Sequence, residues 1–555
     1  METNRLSNGL RALPRRDRAL LIGMTAVALL ALALGVGFGA FTAFLRAGFA
    51  QADPVTGYRA MTGHGVAAFF YWLYFAQAVA MLAIAAVHCR DVPALAQSWL
   101  GWSGFAFMTA GLAASLAGTW AGTPMLYDGS PEVVGEERAA AAVFYLGYLL
   151  LGAGLFLVAL CLIATALAGK AERGGRAWSA LGFGVAAWAG LVMVSGIGIA
   201  NAFLPAALWA VGAVDAPGDH SGAWHLLFHN LHYLPLMGVV LVWYALVREM
   251  TGVVSIFGDR FSKLAFACYL VFVPPTSLYH MFLEPGLAPA VRVFGSLLSL
   301  FIGMPTVAVF LVIVVSLEAY ARARGARGPF GWLGTLPWAE PAMSAIGMAV
   351  VNLAFGGVLA FVLIQERLAP LLSDTFFVPG YFHFLTIGTV TLSLLGALAR
   401  LIPPLCGRAP AGRRLLAALP YVLTAGVAAF GIAGVAAGVQ GMPRRVLDVA
   451  YDGAAPASWQ ALSRFVGAGA AIAAAALLAY VLVLARSLAA GAAPAGAEAP
   501  RPPAAQAAPA ALVMRQSAWT GPLSVLTLVA AMYAATYAAV ALMRALPIAG
   551  AGGGH

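Results

Sequence analysis

The stretch HLLFHNLHYLPLMGVVLVWYALVRE, residues 225–249, leads three imidazoles and a phenol into an apolar run with no charge before Arg248. At about 1.5 Å rise per residue, a helix of this length is longer than the roughly 30 Å of hydrocarbon in a bilayer. Segments of the same kind recur on both sides of it, near 19–45, 65–88, 98–121, 139–168, 178–212, 262–284, 289–321, 340–365, 378–403, 413–440, 458–490 and 517–545. The expected fold is therefore an all-α membrane protein of about thirteen transmembrane helices. The runs are far longer than a barrel strand of about ten residues and lack its alternation. Of 555 residues, 62% are hydrophobic and 9% charged, which excludes an ordinary soluble domain.

The net charge of +10 points to membrane topology rather than nucleic acid. Arg90, Lys170, Arg173, Arg176, Arg260, Lys263, Arg322, Arg324, Arg327, Arg408, Arg413, Arg414, Arg501 and Arg515 fall in alternate loops, together with the basic N-terminus. The other loops carry Asp128, Glu132, Glu136, Glu137, Asp215 and Asp219. The positive-inside rule then makes the N-terminus cytoplasmic and the acidic loops external, in a multi-pass protein of the bacterial cytoplasmic (inner) membrane. The expected divisions are a cytoplasmic N-terminus (1–18), a twelve-helix core (19–486), an Ala/Pro-rich linker (487–516), a last helix (517–545) and a loose tail (546–555). Cys89, Cys161, Cys268 and Cys406 are scattered, with no metal or disulfide spacing.

Six of the nine histidines, His64, His225, His229, His232, His280 and His383, fall at one expected depth on four helices. Ionisable groups inside a membrane mark function by default, and imidazole is a common ligand of haem iron and copper. His225, His229 and Tyr233 repeat at i, i+4, i+8 and span about 12 Å, too far for one metal. His229 is the favoured ligand of that helix, with His232 second and His225 set toward water. Met442-Pro443-Arg444-Arg445 puts two arginines on the acidic side and calls for an anionic partner. Two histidines at one depth with two external arginines is the pattern of a six-coordinate haem whose propionates are held by arginine.

Several runs resemble the catalytic subunit of the haem-copper oxygen reductases, closest to the B-type cytochrome c oxidase branch. They are Tyr279-His280-Met281-Phe282-Leu283-Glu284-Pro285-Gly286, Ser316-Leu317-Glu318 with Gly328-Pro329-Phe330-Gly331-Trp332, Val378-Pro379-Gly380-Tyr381-Phe382-His383, and the Met442–Arg445 run. The resemblance implies that His64 and His383 hold a low-spin haem, b-type, and that Arg444 and Arg445 hold its propionates. It makes His229 and His280 copper ligands and Tyr233 the tyrosine that is cross-linked to His229 in oxygen reductases. Tyr244, Ser296 and Ser299 resemble polar positions of a proton path. Asn230 stands where the family usually has proline, and two further departures matter more: Tyr279 and Tyr381 stand where a copper ligand and the proximal ligand of a high-spin haem would be histidines. A Tyr381 phenolate can ligate a second haem, and His232 can replace the lost copper ligand, with copper or non-haem iron between His229, His232 and His280.

The expected function is a membrane respiratory reductase of O2 or NO. Its electrons come from a cytochrome c or small copper protein, with a subunit II-type partner to receive them. No nucleic-acid partner is expected. The alternative from a different class is a non-catalytic relative that keeps only the low-spin haem and serves as electron carrier, gas sensor or assembly factor. A haem-free transporter leaves the Arg444-Arg445 pair unexplained.

Overall fold

The computed structural model describes residues 4–135, 137–253, 258–274, 289–365 and 368–490, and side chains throughout these except 226, 289–302, 304 and 490. Its helices of eight or more residues are α1 (Arg5–Ala12), α2 (Arg15–Ala47), α3 (Pro54–Cys89), α4 (Ser98–Ala121), α5 (Arg138–Glu172), α6 (Ala180–Ala210), α7 (His220–Thr251), α8 (Gly258–Phe272), α9 (Pro289–Arg322), α10 (Pro341–Leu363), α11 (Phe377–Cys406), α12 (Arg413–Val439) and α13 (Ala457–Ala490). Eleven are long and apolar enough to cross a membrane. Of the thirteen expected spans, the one at 517–545 lies outside the described residues, and only the first part of 262–284, in α8, lies within them. The chain is a multi-pass, nearly all-helical membrane protein. Among the described residues the one β feature is an isolated bridge between Thr375 and Pro443.

Burial sorts the helices. The most apolar stretch of α3 is buried along its whole length, whereas α4, α10 and α13 leave most of theirs on the surface. Phe107, Ile197, Phe355, Ile432 and Leu482 are exposed on outer helices, as suits side chains that face lipid. Close approach needs small residues. A Cβ at Gly111 of α4 would lie 2.7 Å from the Gly147 carbonyl oxygen of α5. Neighbours in sequence pack in space from α4 to α7, and α13 returns onto α2.

Three boundaries differ from expectation. α3 begins at Pro54, about three turns before His64, because Asp53 caps it by accepting the Thr56 N–H (3.0 Å). The polar residues that follow the cap hide this start from a hydropathy reading, so His64 does not open the helix. α13 runs to Ala490, where the expected span 458–490 ends, and so passes the linker start set at 487. The N-terminal segment 1–18, expected to lie ahead of the first span, contains α1 and the start of α2.

α1 buries Leu6 and Leu10 and is fastened at its open end by Glu249 of α7. Glu249 accepts the N–H groups of Leu6 (2.9 Å) and Ser7 (3.0 Å) and the Ser7 hydroxyl (2.8 Å), and lies 3.6 Å from Arg400. A carboxylate on the free N–H groups of a helix start satisfies donors that the helix cannot. Glu249→Leu leaves the Leu6 and Ser7 donors without their acceptor while Arg400 keeps Glu340 (3.3 Å), with an expected loss of about 1–3 kcal/mol. A thermal melt in detergent reads this as a lower midpoint, and an unchanged midpoint contradicts it.

Candidate functional site

His64 of α3 and His383 of α11 meet in a cavity of about 270 Å³. Their rings are nearly parallel (8°) with centroids 6.2 Å apart. Two metal–nitrogen bonds of about 2 Å plus the two ring radii come to roughly the same distance. Each Nδ1 faces a backbone carbonyl, Gly35 for His64 (2.8 Å) and Pro379 for His383 (2.6 Å). A carbonyl only accepts, so each Nδ1 carries the proton and each Nε2 keeps a lone pair for a metal. Gly39 of α2 backs His64, where a Cβ would lie 2.5 Å from the ring. Phe430 packs on the His383 ring at 4.4 Å.

Both helices change character just past their histidine. Residues Gly65–Trp72 and Phe384–Thr391 are wound as π-helix, with i→i+5 hydrogen bonds. Such turns cluster at functional sites. The two stretches are joined at their far ends, where the Trp72 indole N–H donates to Thr391 Oγ1 (3.0 Å).

Arg444 and Arg445 line this cavity and also the larger one beyond it. Their anionic partners in the structure are Asp374 for Arg444 (2.8 Å) and Asp128 for Arg445 (3.3 Å). The Asp374 side chain is 79% exposed, so its pair contributes little. The loop is held mainly by Arg46 of α2, which is buried, lies over the Phe376 ring and lines the smaller cavity. Its guanidinium donates to the carbonyls of Pro443 and Arg444 (3.0 Å each) and of Val446. The sequence reading missed Arg46. The signal was present: like Arg444, it is a cation at the acidic end of the bundle.

The second cavity, about 920 Å³, is of a size that takes a large cofactor. Tyr381, His225, His229, His232 and Tyr233 all line it. Residues 381 and 383 are two apart on α11, so they face opposite sides of the helix. Phe382 and Phe69 line both cavities and lie 5.8 Å apart, ring to ring. The His229 and Tyr233 rings are 5.1 Å apart.

The structure does not close His229 and His232 on one ion. Their ring centroids are 6.3 Å apart and their planes nearly perpendicular (82°). Two imidazoles on one tetrahedral ion bring their ring centres to roughly 5 Å. His232 is instead enclosed edge-on by Phe228 (4.0 Å), Phe382 (4.7 Å) and Phe69 (5.3 Å). Among the described residues no three His, Cys, Asp or Glu side chains converge as a metal site. Tyr279 and His280 lie outside the described residues, so the donor set expected there is incomplete. The expected role of His232 as replacement ligand therefore finds no support in the ring geometry.

Of the expected proton-path residues, Tyr244 hydrogen-bonds Ser262 (2.9 Å), and the side chains of Ser296 and Ser299 on α9 lie outside the described set. A further hydroxyl pair, Tyr269 with Thr306 (2.8 Å), reaches the larger cavity, since Thr306 lines it.

Comparison with known proteins agrees with this architecture. Residues 19–472 match the family described as Cytochrome C and Quinol oxidase polypeptide I. Cytochrome c oxidase subunit 1 of Thermus thermophilus is 31% identical over 219 residues, and the match spans 39% of each chain. A solved haem-copper terminal oxidase dimer, determined by cryo-electron microscopy, superposes with a TM-score of 0.79 at 21% identity over 94% of this chain and 93% of that one. With most of its length matched by that family, the chain belongs to the haem-copper oxidase subunit I family.

Proposed function

We propose that the chain is the catalytic subunit of a membrane respiratory reductase whose substrate is a small gas, O2 or NO. The N-terminus faces the cytoplasm of a bacterium and the acidic loops face out. Electrons arrive there from a cytochrome c-type or small copper protein donor through a subunit II-type partner. The observation that carries the reading is the His64/His383 pair, with parallel rings at 6.2 Å and both Nδ1 atoms tied to carbonyls.

His64 and His383 would hold a low-spin b-type haem, which supplies one-electron transfer when bound. Arg444 and Arg445 would take its propionates, with Arg46 fixing the loop that presents them. Tyr381 would ligate a second haem in the larger cavity. His229 with His280 would hold copper or non-haem iron. Tyr233, whose ring lies 5.1 Å from that of His229, would give a proton and an electron to the reaction. Phe69 and Phe382, which line both cavities, would keep water from passing between them.

The separation of His229 from His232 favours a second reading, in which only the low-spin haem is kept and the protein carries electrons or senses a gas. Pyridine haemochrome analysis with metal quantitation on the purified protein separates the two. Two haems per chain with one further metal is the expected result. One haem and no further metal supports the carrier, and no haem defeats both.

A further inference from the structure

We propose that Tyr74 of α3, backed by Gln77 of α3 and Trp188 of α6, is a positioning residue for the larger cavity. Its hydroxyl holds α7 at the Pro235 break and so sets where His229 and Tyr233 stand; the proposal rests on the reductase reading above. Pro235 is the one proline inside α7, two residues past Tyr233. Proline has no N–H, so the Leu231 carbonyl four residues earlier lacks its helical donor. Within a bilayer such a freed carbonyl needs a protein partner. The Tyr74 hydroxyl supplies it, donating to Leu231 at 3.0 Å. On the other side of Tyr233, the Trp188 indole N–H lies 3.3 Å from the Leu234 carbonyl and 3.2 Å from Gln77 Oε1. Gln77 Nε2 donates in turn to the Leu73 carbonyl (2.9 Å). All three side chains are fully buried. Gly238 lets them approach: a Cβ there would lie 2.6 Å from Gln77 Oε1.

The break divides α7 into two halves with different supports. Beyond Pro235 the helix is locked in the core: residues 239–247 are buried, and the Trp243 indole donates to Ser393 of α11 (2.9 Å). Its end is engaged by the start of α1 through Glu249. The half before Pro235 presents His225, His229, His232 and Tyr233 to the larger cavity. Its outer end is pinned where His220 Nε2 donates to the Asp128 carbonyl (2.8 Å). Its inner end hangs on a backbone joint that proline has weakened, since helices kink where proline interrupts the ladder. Tyr74 closes that joint. Leu231 lies two residues from His229 and two from Tyr233, so a shift of its carbonyl carries both side chains with it. Tyr74 also stands ten residues past His64 on α3. One helix therefore supplies an axial ligand to the proposed low-spin haem and aims the side chains of the second site.

The test uses the full-length haem-loaded protein in lipid nanodiscs, reduced under carbon monoxide, with 3-fluorotyrosine at position 233 as the probe. Its fluorine resonance reads the surroundings of that ring without any turnover. Donor-driven consumption of O2 or NO by the unlabelled protein is the second readout. Tyr74→Phe removes one oxygen and keeps the ring. It is expected to displace or split the resonance and to slow turnover at least about tenfold, because a misplacement near 1 Å can cost about 100-fold. Pro235→Ala gives the Leu231 carbonyl a donor from its own helix. In that background the same Tyr74→Phe change is expected to leave the resonance in place and to alter turnover less than about twofold. An unmoved resonance in Tyr74→Phe overturns the proposal, and so does an equal displacement in both backgrounds. If Tyr74→Phe alone does not fold, the added Pro235→Ala must restore folding, and failure to do so is equally fatal. The low-spin ferric signal is expected to stay unchanged in Tyr74→Phe; its loss would mean a general collapse of α3 and defeat the positioning role. Failure of the reductase reading shows separately, as a wild-type haem count below two.

Discussion

Haem content in His383→Ala is expected to fall from two per chain to one, with the low-spin ferric signal gone from the electron paramagnetic spectrum. Each imidazole of the pair is aimed by a backbone carbonyl at its Nδ1, so no nearby side chain can take its place without rebuilding the helix. Loss of outer-sphere partners alone commonly costs 10–100-fold in affinity or activity. Removing the ligand itself should therefore cut donor-driven turnover by at least about 100-fold. His383→Met guards against simple misfolding. It keeps a sixth ligand, should retain the haem, and should raise its potential, as Met/His ligation does. A full haem count with an intact low-spin signal in both His64→Ala and His383→Ala would sink the assignment.

Tyr381→Phe carries the second large effect. Tyr381 lines the larger cavity from α11, on the side of the helix opposite His383. A phenolate on haem iron favours the ferric state. The wild type is then expected to show a rhombic high-spin ferric signal and a low potential for that haem. In Tyr381→Phe the rhombic signal should vanish while the low-spin signal stays. Tyr381→His should restore a high-spin haem with axial symmetry and a raised potential, and speed O2 turnover. If the rhombic signal survives the phenylalanine, a different residue ligates the iron.

The bundle was legible in the sequence because span length and loop charge are local properties that need no knowledge of neighbours. The His64/His383 pair was legible as two imidazoles at one depth, and the structure brings them together. What could not be read was direction. His232 has the right residue type at the right height, yet three phenyl rings enclose it, and only the packing of α3, α7 and α11 decides that. Arg46 was not singled out in the sequence. Its importance comes from carbonyls about 400 residues away, and such a contact leaves no trace in local pattern. The start of α3 was hidden by its own polar first turns. His280, Tyr279 and the side chains of Ser296 and Ser299 stand outside the described residues and keep their sequence-based assignments as proposals.

The two π-wound stretches form a closed frame, with paired histidines at one end and the Trp72–Thr391 hydrogen bond at the other. Dropping one residue from either stretch would swing everything after it by about 100° around the axis and pull that bond apart. A frame fixed at both ends also resists breathing at its centre. Were the proposed haem held there, a change of one electron in its charge would meet surrounding atoms with little room to rearrange, and the nuclear contribution to the activation barrier for electron hopping would be small.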